Sequence, residues 1–153
     1  MKQLNVDVAV IGAGTAGLAA YRTAVAAGAR AVIIEGGPYG TTCARVGCMP
    51  SKLPIAAADA AHVASRWSTF GVKLHGAVSI DGRAVMRRVK AERDRFVGAV
   101  IDGIESTPVS DKIRGYAKFV DDHHLVVDDH TKITFKSAVI ATGSSPTVPP
   151  FLA

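Results

Sequence analysis

Two apolar blocks near the start of the chain flank a stretch of small residues. Val6 to Ile11 is a short run rich in β-branched residues, which predicts a buried parallel strand. Gly12-Ala13-Gly14-Thr15-Ala16-Gly17 follows directly. An alanine-rich segment then predicts a helix to about Ala27, closed by Gly28 as its C-cap. Ala31 to Ile34 predicts a second buried strand with Glu35 at its C-terminal end. Strand, glycine turn, helix and strand make a βαβ unit.

Further along, the alanine-rich sequence from Ile55 to about Trp67 predicts a helix, and Phe70-Gly71-Val72 and His75-Gly76 mark a loop. Ile80-Asp81-Gly82 reads as the start of a long amphipathic helix from about Arg83 to Ile104. Its apolar stripe, Val85, Met86, Val89, Phe96, Val97 and Val100, is read as core. Beyond Pro108 the period changes. Ile113 to Val120, Leu125 to Val127 and Lys132 to Phe135 predict short strands split by Asp/His turns, and Ser137 to Ala141 predicts one more buried strand. Thr142-Gly143-Ser144-Ser145-Pro146 is its exit turn, and Pro146, Pro149 and Pro150 stiffen the tail. No internal repeat is visible.

A chain of 153 residues suits one domain and can bury a real core. The net charge of +5 raises the question of a nucleic-acid partner. Much of the excess lies in Arg83, Arg87, Arg88, Lys90, Arg93 and Arg95, interrupted by Glu92 and Asp94, which reads as the solvated face of a helix. No aromatic-rich basic patch accompanies it, so no nucleic-acid partner is expected. Val8 to Tyr21 is uncharged, but it is shorter than the ~18 residues a membrane span needs, and no small-residue cleavage site follows. A cytoplasmic protein with no membrane partner is expected. In that compartment a cysteine pair is more often catalytic or metal-binding than a structural staple.

The three glycines of the turn have separate tasks. Gly12 permits the tight turn, Gly14 lets backbone approach a pyrophosphate, and Gly17 lets the helix pack close to the strand. The helix N-terminus offers free N–H groups and a positive dipole end to phosphates. Glu35 can accept hydrogen bonds from an adenosine ribose. An acid there disfavours a 2′-phosphate, which favours FAD or NAD over NADP.

The only two cysteines, Cys43 and Cys48, stand in Gly40-Thr41-Thr42-Cys43-Ala44-Arg45-Val46-Gly47-Cys48-Met49-Pro50-Ser51-Lys52. In an ideal helix, residues five apart have Cα atoms roughly 8–9 Å apart. A disulfide wants less than about 7 Å. A Cys43–Cys48 bridge therefore needs a distorted helix start, which Gly47 permits, and a distorted, accessible bridge is one that can be reduced and re-formed. A zinc site normally needs four ligands, and no second cysteine pair exists. Two unrelated buried thiols are the remaining alternative. Lys52, four residues after Cys48, lies one helical turn along the same face, where it would favour a thiolate; alone it reads as a surface lysine. Pro50 and Pro54 suit an irregular helix start better than an uninterrupted helix. Asp121, Asp122, His123 and His124, and Asp128, Asp129 and His130, resemble metal ligands in composition, but turn chemistry explains both clusters and no metal is expected.

The fingerprint, the run Cys43-Ala44-Arg45-Val46-Gly47-Cys48-Met49-Pro50-Ser51-Lys52 and Ala141-Thr142-Gly143 together resemble the N-terminal FAD-binding portion of a class I pyridine nucleotide–disulfide oxidoreductase. The similarity covers essentially the whole chain and looks nearest to the dihydrolipoamide dehydrogenases. The Pro-Ser-Lys after Cys48 is similar to lipoamide dehydrogenases and mercuric reductases alike. The resemblance implies an α/β, Rossmann-like FAD/NAD(P)-binding domain with a parallel sheet, a helical excursion and a small antiparallel β meander. It implies that Cys43 is the interchange thiol that meets a disulfide substrate. Cys48 would lie against the flavin as the charge-transfer thiolate, with Lys52 near the flavin's reactive nitrogen. Gly12, Gly14, Thr15, Ala16, Gly17, Glu35, Gly40 and Thr42 join the FAD-binding set. Gly115 and Ala117 resemble the segment at the adenine end, and Ala141, Thr142 and Gly143 the turn that closes over FAD. Electrons would pass between NAD(P)H, FAD and the Cys43–Cys48 disulfide, and on to a small or protein-bound disulfide or dithiol.

Two local departures stand out. Thr41 replaces the family's second glycine, and Arg45 replaces its usual asparagine. A cation at Arg45 is expected to lower nearby thiol pKa values and to favour an anionic substrate. Length is the larger departure. The family's NAD(P)-binding domain, its return segment and its homodimer domain with a histidine–glutamate pair are not found by Ala153. None of His62, His75, His123, His124 and His130 lies in the family's catalytic motif. A truncated product, inactive alone, or a non-catalytic flavin-binding fragment is expected.

Overall fold

The computed structural model describes residues 1–73, 75–145 and 147–152. It divides into two compact units, one made of Met1–Tyr39 with the chain from Ile104 onward, the other of Gly40–Gly103. Pro146, in the predicted exit turn, lies outside the described residues.

In the first unit, β1 (Lys2–Ile11) leads through the glycine turn to α1 (Thr15–Ala26) and on to β2 (Ala31–Glu35). β1 pairs in parallel with β2, Val8 opposite Ala31 and Ile11 opposite Ile34. Ala9, Val10, Val32, Ile33 and Ile34 are buried, as a parallel strand covered on both faces requires. β3 (Lys112–Arg114) adds in parallel to β2. β4 (Ala117–Phe119), β5 (His124–Val127) and β6 (Thr131–Ile140) form the antiparallel meander. β6 also pairs in parallel with nearly all of β1, Lys2 opposite Thr131 and Ile11 opposite Ile140. One six-stranded sheet results, in the order β3-β2-β1-β6-β5-β4.

Three elements differ from the sequence expectation, each for a physical reason. The strands expected at Lys132–Phe135 and Ser137–Ala141 are one, β6. Lys136 does not break it, because its ammonium reaches across to Asp7 on β1 at 2.6 Å. That ammonium, followed by the backbone N–H of Arg30, holds the Asp7 carboxyl below its usual range. Conversely, the run expected from Ile113 to Val120 is two strands. Gly115 turns between them at a φ of 137°, and a Cβ there would stand 2.7 Å from a Val127 methyl. Finally, the helix after Cys48 is uninterrupted, α3 (Cys48–Ser65), with Pro54 inside it.

The break at Gly115 has a geometric corollary. β3 and β4 lie on opposite edges of the sheet, yet only two residues separate them. Three peptide steps span at most about 11 Å, whereas six flat strands would be about 24 Å across. The sheet is therefore strongly curled. Leu125, Val127, Ile133 and Phe135 are buried inside the curl with Val6, Ala9 and Ile113. Phe119 meets Phe135 edge to face at 5.9 Å.

α1 is pinned to the sheet by Tyr21, which donates a hydrogen bond to Asp111 at 2.7 Å, just before β3. Burial, then the Asp111 carboxylate, pushes the Tyr21 phenol from 10.0 up to about 12. The folded state favours the neutral phenol. Its contribution to stability is complete below pH 10.0 and is lost as pH rises through about 12. In an ultraviolet titration of tyrosinate absorbance, Tyr21→Phe should remove a component near pH 12. The same substitution should cost about 1–2 kcal/mol near neutral pH.

The second unit contains α2 (Thr42–Arg45), α3 and most of α4 (Gly82–Glu105). Among the described residues, no helix is long and apolar enough to cross a membrane. The Asp/His clusters lie in turns. Asp121 accepts from the His123 backbone N–H at 2.9 Å and approaches His124 Nδ1 at 2.8 Å.

Candidate functional site

In the first unit the candidate site begins where β1 ends. Gly12 has a φ of 106°, donates its N–H to Ile34 O at 2.8 Å, and lies so close to the exit of β6 that a Cβ would stand 2.7 Å from the Ala141 carbonyl carbon. Only glycine fits both constraints. At Gly17 a Cβ would run into the Gly12 carbonyl, so the helix start packs directly on the turn. Around Gly14 there is open space: a Cβ would meet nothing within 4 Å. Gly14 is the N-cap of α1 and gives no side-chain hydrogen bond, and the first turn carries no acid. The N–H groups at Thr15, Ala16 and Gly17 thus face a helix start with no side-chain cap and a positive dipole end.

Glu35 is half-buried at the end of β2. It accepts from Ala13 N at 2.8 Å through one oxygen and from Gly37 N at 2.7 Å through the other. Each carboxylate oxygen keeps a second lone pair for a further donor. Glu35 and Gly12 open on a concavity of about 200 Å³, together with Ile11, Ile34, Gly36, Gly115, Tyr116, Ala117 and Thr142. The chain thus brings together Gly12, Glu35, Gly115, Ala117 and Thr142, five of the residues singled out in the sequence. Gly14, Thr15, Ala16 and Gly17 form the adjoining helix start. Ala141 flanks Gly12, donating its N–H to Ile11 O at 2.8 Å, and Gly143 follows at a φ of 72°.

Sequence reasoning passed over Tyr116 and Gly36. The Tyr116 ring is exposed and lies over Gly36, where a Cβ would stand 2.6 Å from the ring carbons. The only signal was the Gly36-Gly37 pair directly after Glu35. Gly115 donates to Glu35 O at 3.1 Å, which ties this wall to the end of β2.

The second unit carries the cysteines. Gly40 is buried, and a Cβ there would stand 2.9 Å from a Val97 methyl. Thr41 caps α2, its Oγ1 accepting from Ala44 N at 3.1 Å. Its φ is 57°, a conformation costly for a β-branched side chain, which accounts for the family's glycine. Strain of this kind costs about 1–3 kcal/mol, and glycine caps nearly as well as threonine. Thr41→Gly should therefore raise the thermal midpoint, by a few degrees in a melting curve.

Cys43 lies in α2, after exposed Thr42, and is half-buried. Cys48 opens α3 and is exposed. Gly47 separates the two helices, and a Cβ there would stand 3.1 Å from Thr42 O and 3.5 Å from Cys43 Cα. The two cysteines therefore never share one helix, which removes the spacing problem of an ideal helix. The neighbouring Cys48 side chain, then burial, push the Cys43 thiol up, against the opposing backbone N–H groups of Cys48 and Met49. Arg45 does not enter this balance, so the expected lowering of a thiol by that cation is not seen at Cys43. Lys52 is exposed, one turn beyond Cys48 on α3. Ser51 Oγ donates to Cys48 O at 2.9 Å, holding the first turn together.

A family model for pyridine nucleotide-disulphide oxidoreductases matches residues 6–152. The chain belongs to this family. Members are oxidoreductases that use FAD with a pyridine nucleotide. The mercuric reductase of Shigella flexneri is 38% identical over 148 residues, covering 94% of this chain and 26% of its own length. The dihydrolipoyl dehydrogenase of Geobacillus stearothermophilus is 33% identical, covering 94% and 31%. Among solved structures, the HOCl-induced flavoprotein disulfide reductase RclA from Escherichia coli superposes with a TM-score of 0.71 at 26% identity, covering 94% of this chain and 29% of that one. The fold is the Rossmann-like α/β fold of the family's FAD-binding domain. The chain spans roughly a quarter to a third of the curated relatives it matches.

Proposed function

We propose that the chain supplies the flavin cradle and the redox-active dithiol of an FAD-dependent disulfide oxidoreductase. The convergence of Gly12, Glu35, Gly115, Ala117 and Thr142 on one concavity beside a bare helix start carries this reading. The concavity suits a nucleoside. Glu35 would accept the ribose hydroxyls through its remaining lone pairs. Gly115, Tyr116 and Ala117 would wall the adenine. The first N–H groups of α1 would receive the pyrophosphate where Gly14 leaves room. Ala141, Thr142 and Gly143 complete the proposed set in the first unit, and for Gly40, Thr42 and Lys52 the family resemblance is what implies a flavin contact.

FAD supplies the hydride chemistry between NAD(P)H and a disulfide. This chain's residues do the thiol chemistry. Cys43 exchanges with the substrate and Cys48, whose side chain adjoins the Cys43 thiol, resolves the mixed disulfide. Exposure of Cys48 leaves a face open for a bound group. Sites for NAD(P)H and for a homodimer belong, in this reading, to the longer protein, working in a reducing cytoplasm.

The substrate class admits two readings. Lipoamide-type substrates follow from the dihydrolipoamide dehydrogenase-like motif. Higher identity to mercuric reductases, 38% against 33%, favours a mercuric-reductase-like enzyme.

The test is the visible spectrum of the purified chain after incubation with FAD, before and after anaerobic dithiol reduction. A retained flavin that gains a long-wavelength band places a thiolate against the ring and supports the reading. Retained flavin with no such band favours a non-catalytic binding module. A colourless protein that cannot be loaded overturns the assignment of the cradle to this chain.

A further inference from the structure

We propose that the disulfide reduced at Cys43 and Cys48 is anionic, and that Arg45 is the residue that recognises its charge. The inference rests on reading the cysteines as a redox pair. It starts from the distribution of charge. Residues 40–103 contain ten lysines and arginines against five acids, while the rest of the chain contains eight of each. The whole excess of +5 therefore belongs to the unit that carries the dithiol.

Within that unit, arginines occupy most of the acids. Arg87 pairs with Asp81 at 3.8 Å, Arg93 with Asp94 at 2.7 Å and Arg95 with Glu92 at 2.8 Å. Among the described residues of 40–103, no carboxylate pairs with Arg45 or Lys52. The stretch from Gly36 to Ala58 has no acid at all. Asp59, the next one, stands roughly 16 Å along α3 from Cys48 by helical rise, beyond a physiological Debye length of about 8 Å.

Two cations, Arg45 and Lys52, lie in the segment that carries both cysteines, and Arg88 reaches the same segment from α4. Arg88 is committed, donating to Leu53 O at 3.4 Å. Lys52 is already placed in the proposed FAD set. Arg45 remains. It is half-buried, with its stem packed beside Gly40, where a Cβ would stand 3.1 Å from Cδ. A held stem lowers the entropy lost on binding, and the planar guanidinium suits a carboxylate or phosphate. Arg45 closes the one-turn helix that carries Cys43, two positions on and so on a different face, and its long side chain would meet a charged group of a substrate that extends past the exchanged sulfur.

The exchange balances without another reagent. The Cys43 thiolate attacks one sulfur of the substrate disulfide, and the first thiolate leaves and takes a proton. Cys48 then attacks the Cys43 sulfur of the mixed disulfide and releases the second thiol. The protein dithiol loses two electrons and two protons, and the substrate becomes two thiols.

The test uses the full chain, reduced and mixed anaerobically with three symmetrical disulfides: dithiodipropionate (anionic), bis-hydroxyethyl disulfide (neutral) and cystamine (cationic). Oxidation is read by acid quench and mass, and each rate is divided by that of dithiothreitol with the same disulfide. At low salt the normalised rate should be about five- to tenfold higher for the anion than for the neutral compound, and lower still for the cation. The preference should collapse in roughly half-molar salt. Arg45→Gln should cut the anion-to-neutral ratio by about fivefold, and Arg45→Lys should keep most of it. The salt series needs no variant, so it stands even if Arg45→Gln folds poorly. Equal normalised rates for the three compounds overturn the charge preference, and an unchanged ratio in a folded Arg45→Gln overturns the role of Arg45. Failure of every disulfide to oxidise the pair overturns the redox reading beneath it.

Discussion

Gly12→Ala is expected to destabilise the protein by about 3 kcal/mol or more. Two costs act together. The backbone at Gly12 has a φ of 106°, where a Cβ is disfavoured whatever surrounds it. That Cβ would also meet the backbone at Ala141, which cannot swing away as a flexible side chain would. Ala141 is held by its own bond to Ile11 O, so relief must come from prying β1 from β6. A midpoint lower by about 6–12 °C should appear in thermal unfolding followed by circular dichroism. Gly14→Ala is the matched control: it has ordinary backbone and open space, and should stay within about 1 kcal/mol. Equal melting of the two variants would sink the steric account of the turn.

Cys48→Ser is expected to have the largest chemical effect. In the wild-type chain, attack of Cys43 on a small disulfide is followed by capture from within, because the Cys48 side chain adjoins it. A positioned neighbour acts at an effective concentration far above that of any added thiol. The mixed disulfide should therefore be too short-lived to isolate, and the product should be the internal bridge. Without Cys48 the adduct on Cys43 has no exit. Its lifetime should rise at least about a thousandfold, and mass spectrometry should find one substrate half bound per chain. Cys43→Ser should leave no such adduct at Cys48 if Cys43 is the attacking thiol. Rapid loss of the adduct in Cys48→Ser would falsify the resolving role.

The βαβ unit was legible because its signals are local. Strand, glycine turn, helix and Glu35 lie within the first 35 residues, where Gly12 meets a demand of backbone angle, Gly17 one of close packing on the turn, and Gly14 stands in open space. What sequence reading missed depends on distant partners. Lys136 looks like a strand breaker until Asp7, on a strand made long before it, is seen beside it. Pro50 and Pro54 suggested an irregular helix start, although α3 continues through Pro54. Tyr116 could not be placed over Gly36, because 80 residues separate them in the chain. The thiol environment was legible only in part. A cation near Cys43 in sequence suggested a lowered thiol, but the Cys48 side chain and burial raise it, and Arg45 takes no part. The preference for dihydrolipoamide dehydrogenases rested on a short motif shared with mercuric reductases, and so could not separate them.

The pairing of β1 with β6 also sets an order of events during synthesis. Lys2 waits for Thr131, 129 residues later, before the centre of the sheet can form. At about 5–20 residues per second, that wait is roughly 6–26 s on a ribosome. Residues 40–103 are made in the interval and form a compact unit of their own. The cysteine segment thus emerges while β1 still lacks β6, and the nucleotide cradle can close only once Thr131–Ile140 has left the ribosomal tunnel.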